Sequence, residues 1–328
     1  SVITKPARVF DRDREWRSLT SFVQDTGPEA RLGVVSGRRR QGKTYLLTAL
    51  AEAVGGFYFG ATEATEAESL RSFGEAVGAF RGIGAPLHLA NWGEAIDAVF
   101  HLAQDAPTAV VIDEFPYLTR SSPELPSLLQ RTLDESARGR RPGRPRLLLC
   151  GSAISVMGRL LSGDAPLRGR AALELMMRPL DRRDAARFWS IDDPRLALLV
   201  HAVVGGTPAY RRQFVRDDAP DGIGDFDDWV VRTVLNPEMP LFREARYLLA
   251  DEPDIRDPAP YHSVLAAIAS GNSTWGGIAN YVGRQSAQIA HPMAVLEDSG
   301  LVAREPDLLR PGRSQYRITE PLISFYQS

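Results

Sequence analysis

The segment Gly37-Arg38-Arg39-Arg40-Gln41-Gly42-Lys43-Thr44 has the spacing G-x-x-x-x-G-K-[ST]. Each fixed position suits a polyphosphate. Gly37 and Gly42 permit backbone angles that turn successive N–H groups onto phosphate oxygens. Lys43 sets one ammonium against the β- and γ-phosphates, and the Thr44 hydroxyl is a ligand for magnesium. Tyr45 follows in a helix whose positive end adds to the field. Residues 37–45 are therefore the candidate nucleotide-binding residues, and Arg38, Arg39 and Arg40 either lean on phosphates or face solvent. The plain alternative is a basic surface turn.

The apolar stretch Ala109-Val110-Val111-Ile112 ends in Asp113-Glu114. In a parallel sheet the carboxyl ends of strands face the ligand crevice. Asp113 is expected beside the loop, holding magnesium directly or through water, and Glu114 is expected to polarise the attacking water as general base. Alone, two carboxylates at a strand end would be read as a helix cap; the complete loop changes that balance. Guanine recognition would need Asn-Lys-x-Asp, and the lysines stand only at positions 5 and 43, so the expected cofactors are ATP and Mg2+.

These residues need elements to position them. Period and punctuation predict strands at 31–36, 56–59, 108–112, 146–150 and 172–177, alternating with helices at 44–54, 66–80, 91–104 and 125–134, after an amphipathic helix within 9–25. Strands alternating with helices imply a parallel sheet covered on both faces. Past Pro179 the pattern turns all-helical, with segments at 184–189, 195–204, 210–215 and 227–235. A Pro- and Asp-rich linker follows at 251–260. Helical patterns at 262–269, 275–282 and 286–298, then two strands flanking a Pro-Gly turn, have the order of a winged helix-turn-helix.

A chain of 328 residues is long for a single core. Its 44% hydrophobic and 24% charged composition is that of a soluble globular protein. No apolar run is long enough to span a membrane, and the start has no signal-peptide core. The lone Cys150 cannot form an internal disulfide, which fits the cytoplasm, and it reads as a buried thiol. A net charge of −2 argues against wholesale coating of nucleic acid. All basic residues but Lys5 and Lys43 are arginines, a skew that Lys43 resists because an arginine fork does not fit a phosphate-wrapping loop.

Several segments resemble the archaeal-type ATPases, a clade of AAA+/STAND P-loop proteins, over nearly the whole chain. They are Phe10-Asp11-Arg12-Asp13-Arg14-Glu15, Asp113-Glu114-Phe115-Pro116-Tyr117-Leu118, Cys150-Gly151-Ser152, Ala165-Pro166-Leu167-Arg168-Gly169-Arg170, Gly205-Gly206-Thr207-Pro208-Ala209-Tyr210 and Tyr316-Arg317-Ile318-Thr319-Glu320-Pro321. The resemblance implies a RecA-like α/β AAA+ core over 1–182, an all-α lid over 183–250 and a winged helix over 251–328. It implies that Phe10 and Arg12 pack near the adenine and that Ser152 is a sensor bonding the attacking water or γ-phosphate. It places an arginine finger at Arg168 or Arg170 and Pro208 in the lid's approach to the nucleotide. For each the bland alternative is a helix cap, an internal salt bridge or a helix–helix corner. Position 11 is Asp where the family commonly has Gly. Related chains often continue into a nuclease-like domain, whereas this sequence stops at Ser328.

The functional expectation is an ATP-binding and hydrolysing switch, with slow turnover, whose nucleotide state moves the winged helix. Two rivals stand beside it: an ATP-controlled DNA-binding regulator, and a scaffold that assembles into homo-oligomers on ATP. From Pro260 onward five arginines balance five acidic residues, and the segment 286–298 has no Arg or Lys, so this module is a poor DNA binder alone. Gln285, Ser286 and Gln288 could read base edges, and Arg310 and Arg313 could touch a backbone. The run from Arg138 to Arg146 is either a solvated loop or a contact to nucleic acid or an acidic partner.

Overall fold

A computed structural model of the protein describes residues 2–328. The chain forms two compact units, one ending at Met177 and the other beginning at Arg178. The first runs α1 (Asp13–Val23), β1 (Arg31–Ser36), α2 (Lys43–Val54), β2 (Phe57–Gly60), α3 (Glu66–Phe80), α4 (Trp92–Leu102), β3 (Thr108–Asp113), α5 (Phe115–Ser121), α6 (Leu125–Ala137), β4 (Pro145–Gly151), α7 (Ile154–Arg159) and β5 (Ala171–Met176). The five strands are parallel in the order β2-β3-β4-β1-β5.

The near-continuous apolar strands follow from burial on both faces. Leu32, Val34, Phe57, Val110, Ile112, Leu147 and Leu149 turn toward α3 to α6. Val35, Ala109, Val111, Leu148 and Cys150 turn the other way, toward Trp16, Leu19 and Phe22 of α1 and Leu46, Leu47 and Leu50 of α2. The entry to α3 is fixed by a capping box in which Thr65 and Glu68 satisfy each other's backbone amides.

The amino ends of the strands are pinned by arginines. Arg146 is fully buried and donates to the carbonyls of Asp25 (2.9 Å), Gly27 (2.7 Å) and Glu29 (2.6 Å). Arg141 pairs with Asp97 (2.5 Å) and Glu135 (3.1 Å), and Arg144 donates to the Asp105 carbonyl. The basic run, read as a solvated loop or a contact to nucleic acid or an acidic partner, is thus largely engaged inside its own unit. Of its arginines, Arg138 and Arg140 are exposed.

The second unit continues with α8 (Arg182–Phe188), α9 (Pro194–Val204), α10 (Phe226–Arg232), α11 (Leu241–Ala250), α12 (Ala259–Ala269), α13 (Trp275–Val282), α14 (Ala290–Asp298), the antiparallel hairpin of β6 (Val302–Pro306) and β7 (Ser314–Ile318), and α15 (Pro321–Gln327). One core gathers Trp189, Val200, Tyr210, Trp229 and Leu241; another gathers Leu265, Ile278, Met293, Leu296 and Tyr316. Helix α15 serves both, through Leu322 and Ile323.

Two expected helices take other forms. Residues 210–214 form a π-helical turn. The segment 286–298 is a 3-10 turn over 286–289 followed by α14 from Ala290. Pro292 has no N–H, and its ring would strike the carbonyl four residues back in a continuous α-helix. The Gly205-Gly206 corner is set by packing: a Cβ on Gly206 would lie 1.8 Å from the Leu180 carbonyl oxygen.

Candidate nucleotide-binding site

The phosphate loop leaves β1 and reaches α2 through a left-handed turn, with Arg40 at φ 71° and Gly42 at φ 82°. Gly42 meets the expectation of a positive φ. Gly37 does not take one, and it is a glycine for a different reason, since a Cβ there would stand 2.9 Å from the Met177 carbonyl at the end of β5. Lys43, the first residue of α2, is buried to 4% exposure. Its ammonium lies 3.8 Å from Asp113 Oδ1 and 3.6 Å from Glu114 Oε1, beyond a direct hydrogen bond. A nearly dry cation held this loosely is suited to a stronger anionic partner.

Asp113 ends β3 and is 1% exposed. Its Oδ2 accepts the Thr44 hydroxyl at 2.6 Å and the Tyr58 hydroxyl at 3.0 Å, and its Oδ1 accepts the Glu114 N–H at 2.9 Å. Glu114 sits in the left-handed region at φ 54°, a strained conformation for a residue with a side chain. Ser152 follows β4, the strand between β1 and β3, so it arrives between the loop and the two carboxylates. Its hydroxyl lies 2.9 and 3.0 Å from the two Glu114 oxygens. Ser152 here holds the carboxylate itself rather than standing open for a water or phosphate.

Thr44 and Asp113 are oxygen donors of the kind a hard cation takes, and such a cation usually draws its remaining ligands from substrate phosphates and water. Among the described residues no group of three or more His, Cys, Asp and Glu could hold a metal by itself. Burial, with the Asp113 charge second, pushes the Cys150 thiol well above its ordinary value and raises the Tyr58 phenol likewise. Both stay neutral beside the carboxylates.

Residues 9–193 match the family described as an ATPase domain predominantly from Archaea. The chain belongs to this family. An uncharacterised protein of Methanocaldococcus jannaschii is 26% identical over 320 residues, covering 96% of this chain and 67% of that protein. The Walker-type ATPase of Pyrococcus abyssi superposes with a TM-score of 0.71 at 19% identity, over 99% of this chain and 98% of that one. The Aeropyrum pernix ORC2 protein, solved in ADPNP–ADP complexes, does so with a TM-score of 0.60 at 15% identity, over 100% and 96% of the two chains. These likenesses show the fold: an α/β P-loop AAA+ core. With the family match, the chain is a P-loop ATPase that binds nucleotide.

The remaining site residues of this archaeal-type ATPase divide into near and far. The Arg12 side chain is buried and donates to the Gln41 carbonyl at 3.0 Å, fastening the amino-terminal segment to the phosphate loop. Arg39 donates to the Tyr117 hydroxyl at 3.0 Å. Arg38 is buried and Arg40 half-buried. Phe10 is 38% exposed and Tyr45 48%; the Tyr45 hydroxyl donates to the Arg8 carbonyl at 3.3 Å. Arg168 and Arg170 lie far away. Leu32 pairs with Ala171, so Arg170 sits at the amino ends of the strands, opposite the phosphate loop of its own chain. Arg170 forks onto both oxygens of Asp134 (2.8 and 2.9 Å), and Arg168 donates to the Gly163 carbonyl. Pro208 belongs to the second unit, in the turn before the π-helical residues. Sequence reasoning missed Tyr58. Its signal lay in the register: Tyr58 pairs with Val111, so it shares a face with Asp113 two residues on.

Proposed function

We propose that this protein is a magnesium-dependent ATPase switch of the STAND kind, in which residues 1–182 are the catalytic core, 183–250 a lid and 251–328 a winged helix. The observation that carries the reading is the convergence of Lys43, Thr44, Asp113, Glu114 and Ser152 from three strand ends. In this reading residues 37–45 wrap the phosphates and Arg12 and Phe10 lie toward the base. Thr44 and Asp113 would hold magnesium, whose charge would offset that of the phosphates. Glu114 takes the proton of the attacking water, Ser152 steadies its carboxylate, and Pro208 lets the lid close. A lone chain turns over slowly because Arg168 and Arg170 face away from its own phosphates and would act only on a neighbour's nucleotide. A cytoplasmic location belongs to the same reading.

The test is calorimetry and phosphate release on the purified protein. Lys43→Ala is expected to abolish measurable ATP binding. Glu114→Gln is expected to bind ATP and turn over roughly 10²–10⁴-fold more slowly. Tight binding by the first variant or normal turnover by the second rejects the corresponding role.

A second reading, ATP-controlled contact with DNA, is favoured by the hairpin. Leu308 and Leu309 at its tip are 92% and 90% exposed, beside Arg310 and Arg313. Apolar wedges flanked by cations suit a minor groove better than the Arg- and Lys-free α14 suits a major groove. Salt-dependent duplex binding that an L308D/L309D variant loses supports it; binding unaffected by that variant removes it. Sizing with a non-hydrolysable ATP analogue distinguishes an assembling scaffold from either.

A further inference from the structure

Tyr58 donates to Asp113, a contact that the phosphate-loop chemistry does not by itself require. Asp113 accepts the Thr44 hydroxyl, and its hydrogen-bond capacity can be counted. An ionised carboxylate has about four acceptor positions, two on each oxygen. Both positions on Oδ2 are filled, one by the Thr44 hydroxyl at 2.6 Å and one by the Tyr58 hydroxyl at 3.0 Å. One position on Oδ1 is filled by the Glu114 N–H at 2.9 Å. A single position is left, on Oδ1, the oxygen 3.8 Å from the Lys43 ammonium.

Tyr58 can do this because of sheet geometry. It pairs with Val111 across parallel strands, so its ring and the Asp113 side chain lie on one face as diagonal neighbours, a span an aromatic side chain bridges. The ring is half-buried against the α2 face of the sheet. An ionised carboxylate only accepts, so the phenol O–H is the donor in this contact. Without the phenol, Oδ2 has an open position, and the carboxylate can turn or take up a water there.

We propose that Tyr58 is a positioning residue for the metal–nucleotide complex: by occupying Asp113 Oδ2 together with Thr44, it leaves the carboxylate one acceptor position, on the oxygen beside Lys43. The proposal rests on the reading of Asp113 as the carboxylate that faces the metal. Outer partners of this kind typically change metal affinity by about 10–100-fold.

The experiment compares the full chain with Tyr58→Phe, which removes only the hydroxyl, and with Asp113→Asn. Mn2+ affinity is read by electron paramagnetic resonance in the presence of ADP, and ADP affinity by calorimetry in EDTA. The expected result for Tyr58→Phe is Mn2+ binding weakened by about tenfold, with metal-free ADP affinity and the melting temperature unchanged. Unaltered Mn2+ affinity in Tyr58→Phe, with affinity lost in Asp113→Asn, overturns the role of Tyr58 and leaves the site reading standing. An equal loss of ADP affinity with and without metal also overturns it, because a merely structural side chain would act that way. Unaltered Mn2+ affinity in both variants overturns the site reading and this inference with it.

Discussion

The two ends of the five-stranded sheet both bury cations, and they use them oppositely. At the amino ends, Arg146 has three carbonyls within 2.9 Å and Arg170 forks onto Asp134. At the carboxyl ends, Lys43 is buried too, yet its nearest carboxylate oxygens stand at 3.6 and 3.8 Å. A guanidinium is planar, weakly hydrated and presents a fork that carbonyls can saturate; an ammonium is a compact charge that can be left for a ligand. Burial of a charge therefore marks structure where its partners are complete and function where they are not.

Four outcomes would break or sharpen this contrast. The largest effect is expected at the structural end. Arg146→Met should lower unfolding stability by about 3–5 kcal/mol, as removal of a buried, partnered charge does, measured by urea denaturation, while the ATP affinity of the folded fraction stays unchanged. Lys43→Met should invert the pattern, with ATP affinity down by at least about 100-fold, or about 3 kcal/mol or more, and a melting temperature equal or higher. A melting temperature that falls as far as that of Arg146→Met would erase the distinction. Ser152→Ala removes one hydroxyl from Glu114 and should slow turnover by about tenfold, worth about 1.4 kcal/mol, with ADP binding intact. Smallest is Arg170→Ala at a partly exposed pair, expected to cost about 1 kcal/mol or less. Its turnover should change only at concentrations where chains associate.

A control lies outside both ends. Burial, with Arg182 second, lowers the His201 imidazole below its ordinary value, and burial, with Arg246 second, does the same for His262. The unfolded chain therefore takes up protons first as pH falls. The second unit should lose stability below about pH 6.5 and be flat above it. Melting followed between pH 7.5 and 5.5, with His201→Asn reducing the slope, checks this.

Much of the core and its site was legible because each signal was local. The strand 31–36 and the helix 66–80 have the predicted bounds, since apolar runs and the Thr65 cap are contiguous in sequence. The phosphate loop, Asp113 and Glu114 meet as their spacing implies. Three short helices were not legible: α5 opens with Phe115-Pro116, poor helix formers followed by Tyr117 and Thr119, and α7 and α15 are under two turns long. Tyr58 escaped for a different reason. Its contact depends on which residue of β3 it faces, and a shift of one residue would have turned it away. The partners of the Arg138–Arg146 run were not legible, because charge density in sequence does not tell whether acidic and carbonyl groups fold back onto it.

Cys150, the only cysteine, lies on β4 with its side chain sealed between sheet and helices, two residues before Ser152. Thiol-directed dyes will therefore ignore the native chain. A cysteine introduced at the hairpin tip or on the second unit would be the sole labelled position, so changes in its surroundings on adding ATP could be followed by the fluorescence of one dye without first removing a background thiol. Slow labelling of the unaltered protein would time the opening of the sheet itself.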